Sequence, residues 1–280
     1  MILDDLDARP GSATSLLRTV VGLYARGLGG RLAAGDLVAL LGAAGVGPGA
    51  ARSAVSRAKG KGLLEAEDVG GRAGYRLAAG AAAMLERGDR RIFGYRQQGD
   101  DDPWCLVSFS IPEERRDARH QLRRHLAGIG CGTVATGLWI CPGHLADEVE
   151  GVLDGLGLRD AATVFVAGTP RVAGSLADAV ARWWDLDGLA ARHRGFLAAH
   201  PDPDGDAETA ARAPDEAFAR WVRAVDDWRP LPYADPGLPA AVLPPDWPGT
   251  AGVARFAALR AAFAGAAAAH VRGVVPTLGA

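Results

Sequence analysis

At 280 residues the chain is of a length for two domains, with one or three also open, and can bury about three quarters of its unfolded surface without a disulfide or metal staple. Hydrophobic residues at 49% and charged residues at 23% exclude a disordered chain, and a formal net charge of −2 excludes a global polycation. Three cysteines (Cys105, Cys131, Cys141) with no CxxC pair exclude a disulfide scaffold and give no zinc spacing.

The first residues, MILDDLDARP, are acidic where a signal peptide is basic, and no apolar run reaches the roughly 18 residues of a membrane span. A cytoplasmic chain without a membrane partner is therefore expected. Residues 12–26 read as a helix, capped by Ser12 or Thr14, with Leu16, Leu17, Val20, Val21 and Tyr24 at helical spacing. A second short helix spans 36–44 and ends at Gly45. Gly47-Pro48 opens a third that runs to about Lys61 and stops at Gly62, because proline costs no hydrogen bond in a first turn. Residues 63–67 and 73–77 read as two strands joined by a Gly70-Gly71 turn. Three helices followed by a hairpin is the order of a winged helix-turn-helix.

The charge distribution agrees with that order. Ten cations and five anions lie between Pro48 and Arg96, whereas ten anions and four cations lie between Pro201 and Thr250. Both lysines of the chain, Lys59 and Lys61, fall in the basic segment. With side chains spaced about 100° apart, Ala51, Ala54, Val55 and Ala58 share one narrow arc of the third helix. Arg52, Ser53, Ser56, Arg57 and Lys59 lie opposite, with no acid among them. A major groove needs such a face: arginine pairs with guanine O6/N7, serine reaches bases or phosphates, and lysine neutralises phosphate. Lys61 follows at the end of the helix, and the hairpin adds Arg72, Tyr75 and Arg76 where a wing meets backbone phosphates. One module contacts only a few base pairs, so a homodimer on a palindromic double-stranded operator is expected. The run Leu37–Leu41 with Gly45-x-Gly47-x-x-Ala50 and Glu65 imitates a dinucleotide fingerprint. A hairpin follows instead of further βαβ units, which argues against that chemistry.

Residues 79–93 read as helix, and the polar stretch Gln97–Pro103 as a linker. Strand 104–110, basic helix 113–126, a strand or hairpin over 132–141, helix 145–156 and strand 163–167 follow in β-α-β(β)-α-β order, which suggests a ferredoxin-like sandwich. Helices are expected at 175–199, 215–228 and 250–270, with a Pro-rich loop before the last. The expected architecture is α+β, in three parts: a winged helix-turn-helix over 1–96, a ferredoxin-like middle domain over 103–170 and a helical C-terminal domain over 175–280.

The segments GVGPGAARSAVSRAKGKGLLEAE and RAGYRL, then PWCLVSFSIPEERRDARHQLRRHLAGIGCGTVATGLWICP, then WWDLDGLAARHRGFLAAH and DPGLPAAVLPPDWPG, resemble in this order the PaaX-like family of transcriptional regulators. The resemblance runs from about residue 12 to 270. It implies a dimeric repressor of a catabolic operon, released from DNA by a small effector of acyl-CoA type. Phosphates of such an effector would need arginines, and Arg116, Arg119, Arg123 and Arg124 form the densest cluster; Trp139 or Trp184 could wall its acyl group. The middle part also resembles small ferredoxin-like nucleases, which hold metal on an aspartate ending the first strand. Here that strand ends Ser108-Phe109-Ser110-Ile111-Pro112, without an acid before Glu113, which argues against a nucleic-acid-processing enzyme. With no HxxxH pair, GxSxG elbow or phosphate loop, no catalytic residue, metal or cofactor is expected.

Overall fold

Ser12 starts the first helix: its hydroxyl accepts the Ser15 amide at 3.2 Å, satisfying one of the amides that a helix start leaves open. From there α1 (Ala13–Val20) continues through a π-helical turn and a 3-10 turn to Gly29, whose φ of +73° ends it. The computed structural model describes residues 9–203 and 207–275. The acidic start read against a signal peptide lies mostly outside them, as do both extremes of the three-part division. The described residues gather into two compact units. One holds the chain up to Phe93, Phe196–Arg229 and the residues from Ala251 on; the other holds Gly94–Gly195 and Pro230–Thr250.

In the first unit α1 packs with α2 (Ala34–Ala43) and α3 (Pro48–Gly60) around buried Leu17, Val20, Leu37, Leu40, Leu41 and Val55. The expected hairpin is β2 (Leu64–Val69) and β3 (Arg72–Leu77), turned by Gly70 and Gly71, both left-handed. A three-residue strand that the sequence reading lacked, β1 (Arg31–Ala33), pairs antiparallel with β3 and makes the order β1-β3-β2. Gly74 sits where β1 and β3 nearly touch. A Cβ there would lie 2.6 Å from a Val69 methyl and 2.7 Å from the Leu32 carbonyl oxygen, so only glycine fits. Helix α4 (Ala81–Phe93) follows, pinned by an Arg26–Asp89 ion pair of 2.6 Å.

The same unit contains α9 (Ala207–Ala211), α10 (Pro214–Trp228) and most of α12 (Gly249–Val274). Asp226 of α10 is fully buried. One of its carboxylate oxygens accepts the hydroxyls of Ser15 (2.6 Å) and Thr19 (2.7 Å), and the other accepts the Gly11 amide (2.7 Å). Arg229 pairs with the same carboxylate at 3.3 Å and donates to Ser15 Oγ at 2.8 Å. Phe256 of α12 stacks on Trp228 (4.8 Å between centroids), Trp221 (5.6 Å) and Phe93 (6.0 Å). By length and composition α12 could cross a membrane, although the sequence reading expected a helix at 250–270 and found no apolar run of membrane length. Its buried stripe of Phe256, Leu259, Phe263, Ala267 and Val271 is that of a core helix.

The second unit is a four-stranded antiparallel sheet ordered β5-β6-β4-β7, from β4 (Trp104–Phe109), β5 (Gly132–Ala135), β6 (Leu138–Pro142) and β7 (Ala162–Ala167). Helices α5 (Arg116–Gly128) and α6 (Ala146–Gly155) cover one face with Leu122, Leu126, Val149 and Leu153. On the other face Trp104 and Ile140 meet Val180 of α7 (Leu176–Trp183), Trp184, Leu186 of α8 (Leu186–Ala199), and Leu238 and Val242 beyond α11 (Leu231–Ala234). The single helix expected over 175–199 is broken: Trp184 is extended, and Asp185 accepts the Gly188 amide at 2.9 Å to start α8. Trp184 also donates to the Gly130 carbonyl at 2.8 Å, and its ring leaves no room for a Cβ at Gly132. The stretch Gln97–Pro103 is no free tether. Gln98 is buried, its amide donates to Gly237 and its side chain to the Asp102 and Pro103 carbonyls. The Gly99 amide, and then Arg96, hold the Asp102 carboxyl below its usual range. The three cysteines are buried thiols outside any disulfide, and Cys105 faces Cys141 across β4 and β6. The hydrogen bond with Cys141, followed by burial, raises the Cys105 thiol pKa far above its usual range.

Breaking a buried charge network strands its remaining members without water. Asp226→Ala leaves the Arg229 charge, two hydroxyls and an amide in that position. Its expected cost is about 3–5 kcal/mol in a urea titration; a loss below about 1 kcal/mol would mean that surface-like pairing, not the buried network, sets the value.

Candidate nucleic-acid interface

The third helix carries the face that the sequence reading singled out. Gly47 is extended, Pro48 takes the first helical position, and Lys61 follows the last turn. Ala51, Ala54, Val55 and Ala58 are buried, and three of these four are alanines, so α3 lies close against α1 and α2. Arg52, Ser53, Ser56, Arg57, Lys59 and Lys61 are all exposed. Their states differ. Among the described residues Arg52, Lys59 and Lys61 have no hydrogen-bond or ion-pair partner. Arg57 donates its Nε to Thr14 Oγ1 of α1 at 2.9 Å, which fixes how α3 crosses α1.

The hairpin cations are engaged within the unit. Both terminal nitrogens of Arg72 reach the carboxylate of Asp36, at 3.0 and 2.9 Å. Asp36 is buried in the first turn of α2, where the helix dipole also favours its charge. Arg72 therefore clamps β3 to α2. Arg76 is paired with Glu65 across β2–β3, and Arg31 with Glu67 at 3.1 Å. Tyr75 is half-buried between Leu32 and Ala66 on the flanking strands. At the tip, Asp68 accepts the Gly71 amide at 2.8 Å, so the turn ends in an acid. Sequence reasoning found the α3 face but missed Asp36, Thr14 and Glu65 as its supports, because no spacing links residues that only the fold brings together.

Two further contacts hold α2 and α4. Arg223 of α10 donates to the Ala44 carbonyl at the end of α2 (3.2 Å), beside left-handed Gly45. The Trp228 indole donates to the Ile92 carbonyl near the end of α4 (3.0 Å). The helices packed on α3 are thereby bonded to α10, α1 at Asp226 and α2 at Arg223, and α4 is bonded to it at Trp228.

The residues suggested for an effector all lie in the second unit. Arg119 pairs with Glu113 at 2.7 Å and Arg123 donates to the Thr136 carbonyl at 2.9 Å. Arg116 is highly exposed, with Asp117 4.0 Å away. Trp139 belongs to the core under α5 and α6, and Trp184 to the core on the opposite face of the sheet, so the two do not share one wall.

Comparison with known proteins divides the chain in the same order. Residues 12–81 match the PaaX-like protein family, 97–178 the PaaX protein central Cas2-like domain, and 184–273 the PaaX-like protein C-terminal domain. The transcriptional repressor PaaX of Escherichia coli (strain K12) is 26% identical over 248 residues, which is 87% of this chain and 78% of that protein. Among solved structures, the uncharacterized protein Rv0674 from Mycobacterium tuberculosis shares the fold, with a TM-score of 0.55 at 22% identity over 93% of this chain and 99% of that one. With three family segments in register along nearly its whole length, the chain belongs to the PaaX-like family.

Proposed function

We propose that this chain is a cytoplasmic, DNA-binding transcriptional repressor that reads its operator with α3. The observation that carries the reading is the outer face of that helix: Arg52, Lys59 and Lys61 exposed and unpaired among the described residues, Ser53 and Ser56 between them, and no acid. On the neighbouring strands the exposed arginines Arg72, Arg76 and Arg31 are spent on Asp36, Glu65 and Glu67. Charges left unpaired are the ones that can release counterions from DNA without first breaking an internal bond. The relationship to a transcriptional repressor points the same way.

In this reading α1–α3 with β1–β3 form a winged helix-turn-helix. The β-α-β-β-α-β sheet is a ferredoxin-like sandwich, and the helical C-terminal segment contributes to both units. The wing residues Arg72, Tyr75 and Arg76 meet backbone phosphates from a braced position. The sandwich carries no reaction: β4 ends at Phe109 and Ser110 follows it, and the next carboxylate, Glu113, is paired with Arg119. Two copies bind a palindromic operator with half-sites about one helical turn, or a multiple, apart. A small effector of acyl-CoA type releases them, its phosphates held on the basic α5 face of Arg116, Arg119, Arg123 and Arg124.

On DNA from upstream of its own gene, Arg52→Ala is expected to cost about 1–3 kcal/mol and relax base preference at one position. Lys59→Ala should weaken specific and random DNA alike and reduce the salt slope by about one. Unchanged operator affinity in both variants contradicts the assignment of α3. Arg72 gives a separate check. A phosphate contact makes Arg72→Ala weaken random-DNA binding while Asp36→Ala, which leaves the arginine in place, does not. If both substitutions lower folding stability and leave the DNA affinity of the folded protein intact, Arg72 is a clamp only. For the effector, titration calorimetry with a panel of acyl-CoA thioesters should show heat with the wild type and none with Arg123→Ala/Arg124→Ala. Equal binding by both removes α5 from the site.

A further inference from the structure

Among the described residues, the four-stranded sheet ends at β7 in a strand whose outer edge no other element pairs with. β7 (Ala162–Ala167) pairs with β4 along all six residues without a bulge, so its other side presents an unbroken row of backbone donors and acceptors. Its sequence, ATVFVA, contains no charge and no proline. Phe165 and Val166, 50% and 64% exposed, are the large exposed hydrophobic residues among those described. The other sheet edges are defended in the usual ways. β5 is irregular between Thr133 and Ala135 and has α7 packed beside it, β2 carries Glu65, Glu67 and Asp68, and β1 is only three residues long. An edge left long, regular and apolar is a pairing surface.

We propose that β7 joins two copies of this chain, antiparallel, β7 against β7. A two-fold axis normal to the sheet closes such a pair and makes one eight-stranded sheet. Centred on Phe165, the pairing sets each Phe165 against its own copy and Val164 opposite the copy's Val166, the aromatic and β-branched pairs that stabilise neighbouring strands. Charge selects the same arrangement. Arg159, before the strand, is already paired with Glu150 at 2.9 Å, which leaves Asp160 as the acid at that end, and Arg171 is the cation beyond the other. In this register Asp160 falls opposite Pro170, next to the copy's Arg171, and Arg171 falls opposite Arg159, whose charge Glu150 already offsets; in-register parallel pairing would set each Arg171 against its own copy. The inference supplies the surface for the dimer that the proposed function requires; the edge itself is independent of DNA.

Sedimentation of the full chain at tens of micromolar, without DNA, should give twice the monomer mass, and Phe165→Glu should give the monomer with an unchanged circular dichroism spectrum. Register is read by cross-linking. Under mild oxidation Phe165→Cys should trap a covalent dimer, because the two sites face each other, and Thr163→Cys should not, because its opposite residue is Ala167. The buried native cysteines leave the introduced thiol as the accessible one. A monomeric wild type overturns the proposal, as it would if the chain's own first residues or another protein cover the strand. A Phe165→Glu dimer, or cross-linking by Thr163→Cys alone, overturns it too. A wild-type dimer that joins through β7 but binds no operator would leave this surface standing and remove the DNA reading instead.

Discussion

A single carboxylate joins the two ends of the first unit. Asp226 lies fully buried on α10, more than 200 residues along the chain from the groups that donate to it, Ser15 and Thr19 of α1 and the Gly11 amide just before that helix. Burying that charge is costly unless every lone pair is used, and here three donors and the Arg229 guanidinium use them. The site therefore exists only when the N-terminal helices and α10 are both folded and in register. Arg223 on the end of α2 and Trp228 on the end of α4 repeat the connection with neutral acceptors. The stacked rings around Phe256 add the apolar part of the same joint.

This joint gives the DNA reading its mechanical basis. A recognition helix discriminates between bases only if its side chains arrive in a fixed position, because a base contact misplaced by an ångström is lost. α3 is fixed by close alanine packing, by the Arg57–Thr14 bond to α1 and, through α1, by Asp226. The cations of the module divide accordingly. Those that brace the fold have acids against them: Asp36 for Arg72, Glu65 for Arg76, Glu67 for Arg31. Those on the outer face of α3, Arg52, Lys59 and Lys61, have no acid against them among the described residues, and these are the cations that the proposed reading assigns to DNA. Any displacement of α10 relative to α1 would have to break the Asp226 network.

Local features explain which parts were legible in the sequence. Ser12, Pro48, Gly62 and the Gly70-Gly71 turn act on their own neighbours, so α1, α3 and the hairpin fall where spacing places them. The alternation of small and basic residues on α3 is likewise a property of one helix. What escaped depends on distant partners. β1 is three residues long, too short to show a period, and exists because β3 supplies its hydrogen bonds. The break at Trp184 has no helix-breaking residue; it occurs because the indole is needed against Gly130 and Gly132 on the sheet. The polar run at Gln97–Pro103 reads as a linker by composition, yet its glutamines satisfy backbone groups at 237–238. The arginines of α5 read as one cluster, and the fold commits two of them to Glu113 and Thr136.

The central claim is that this chain contacts bases through the major groove with α3. Dimethyl sulfate protection reports it directly, because the reagent methylates guanine N7 in that groove. On DNA from upstream of its own gene, the bound chain is predicted to protect guanines in two short patches about one helical turn, or a multiple, apart. A saturated complex in which every guanine N7 stays reactive would contradict the account.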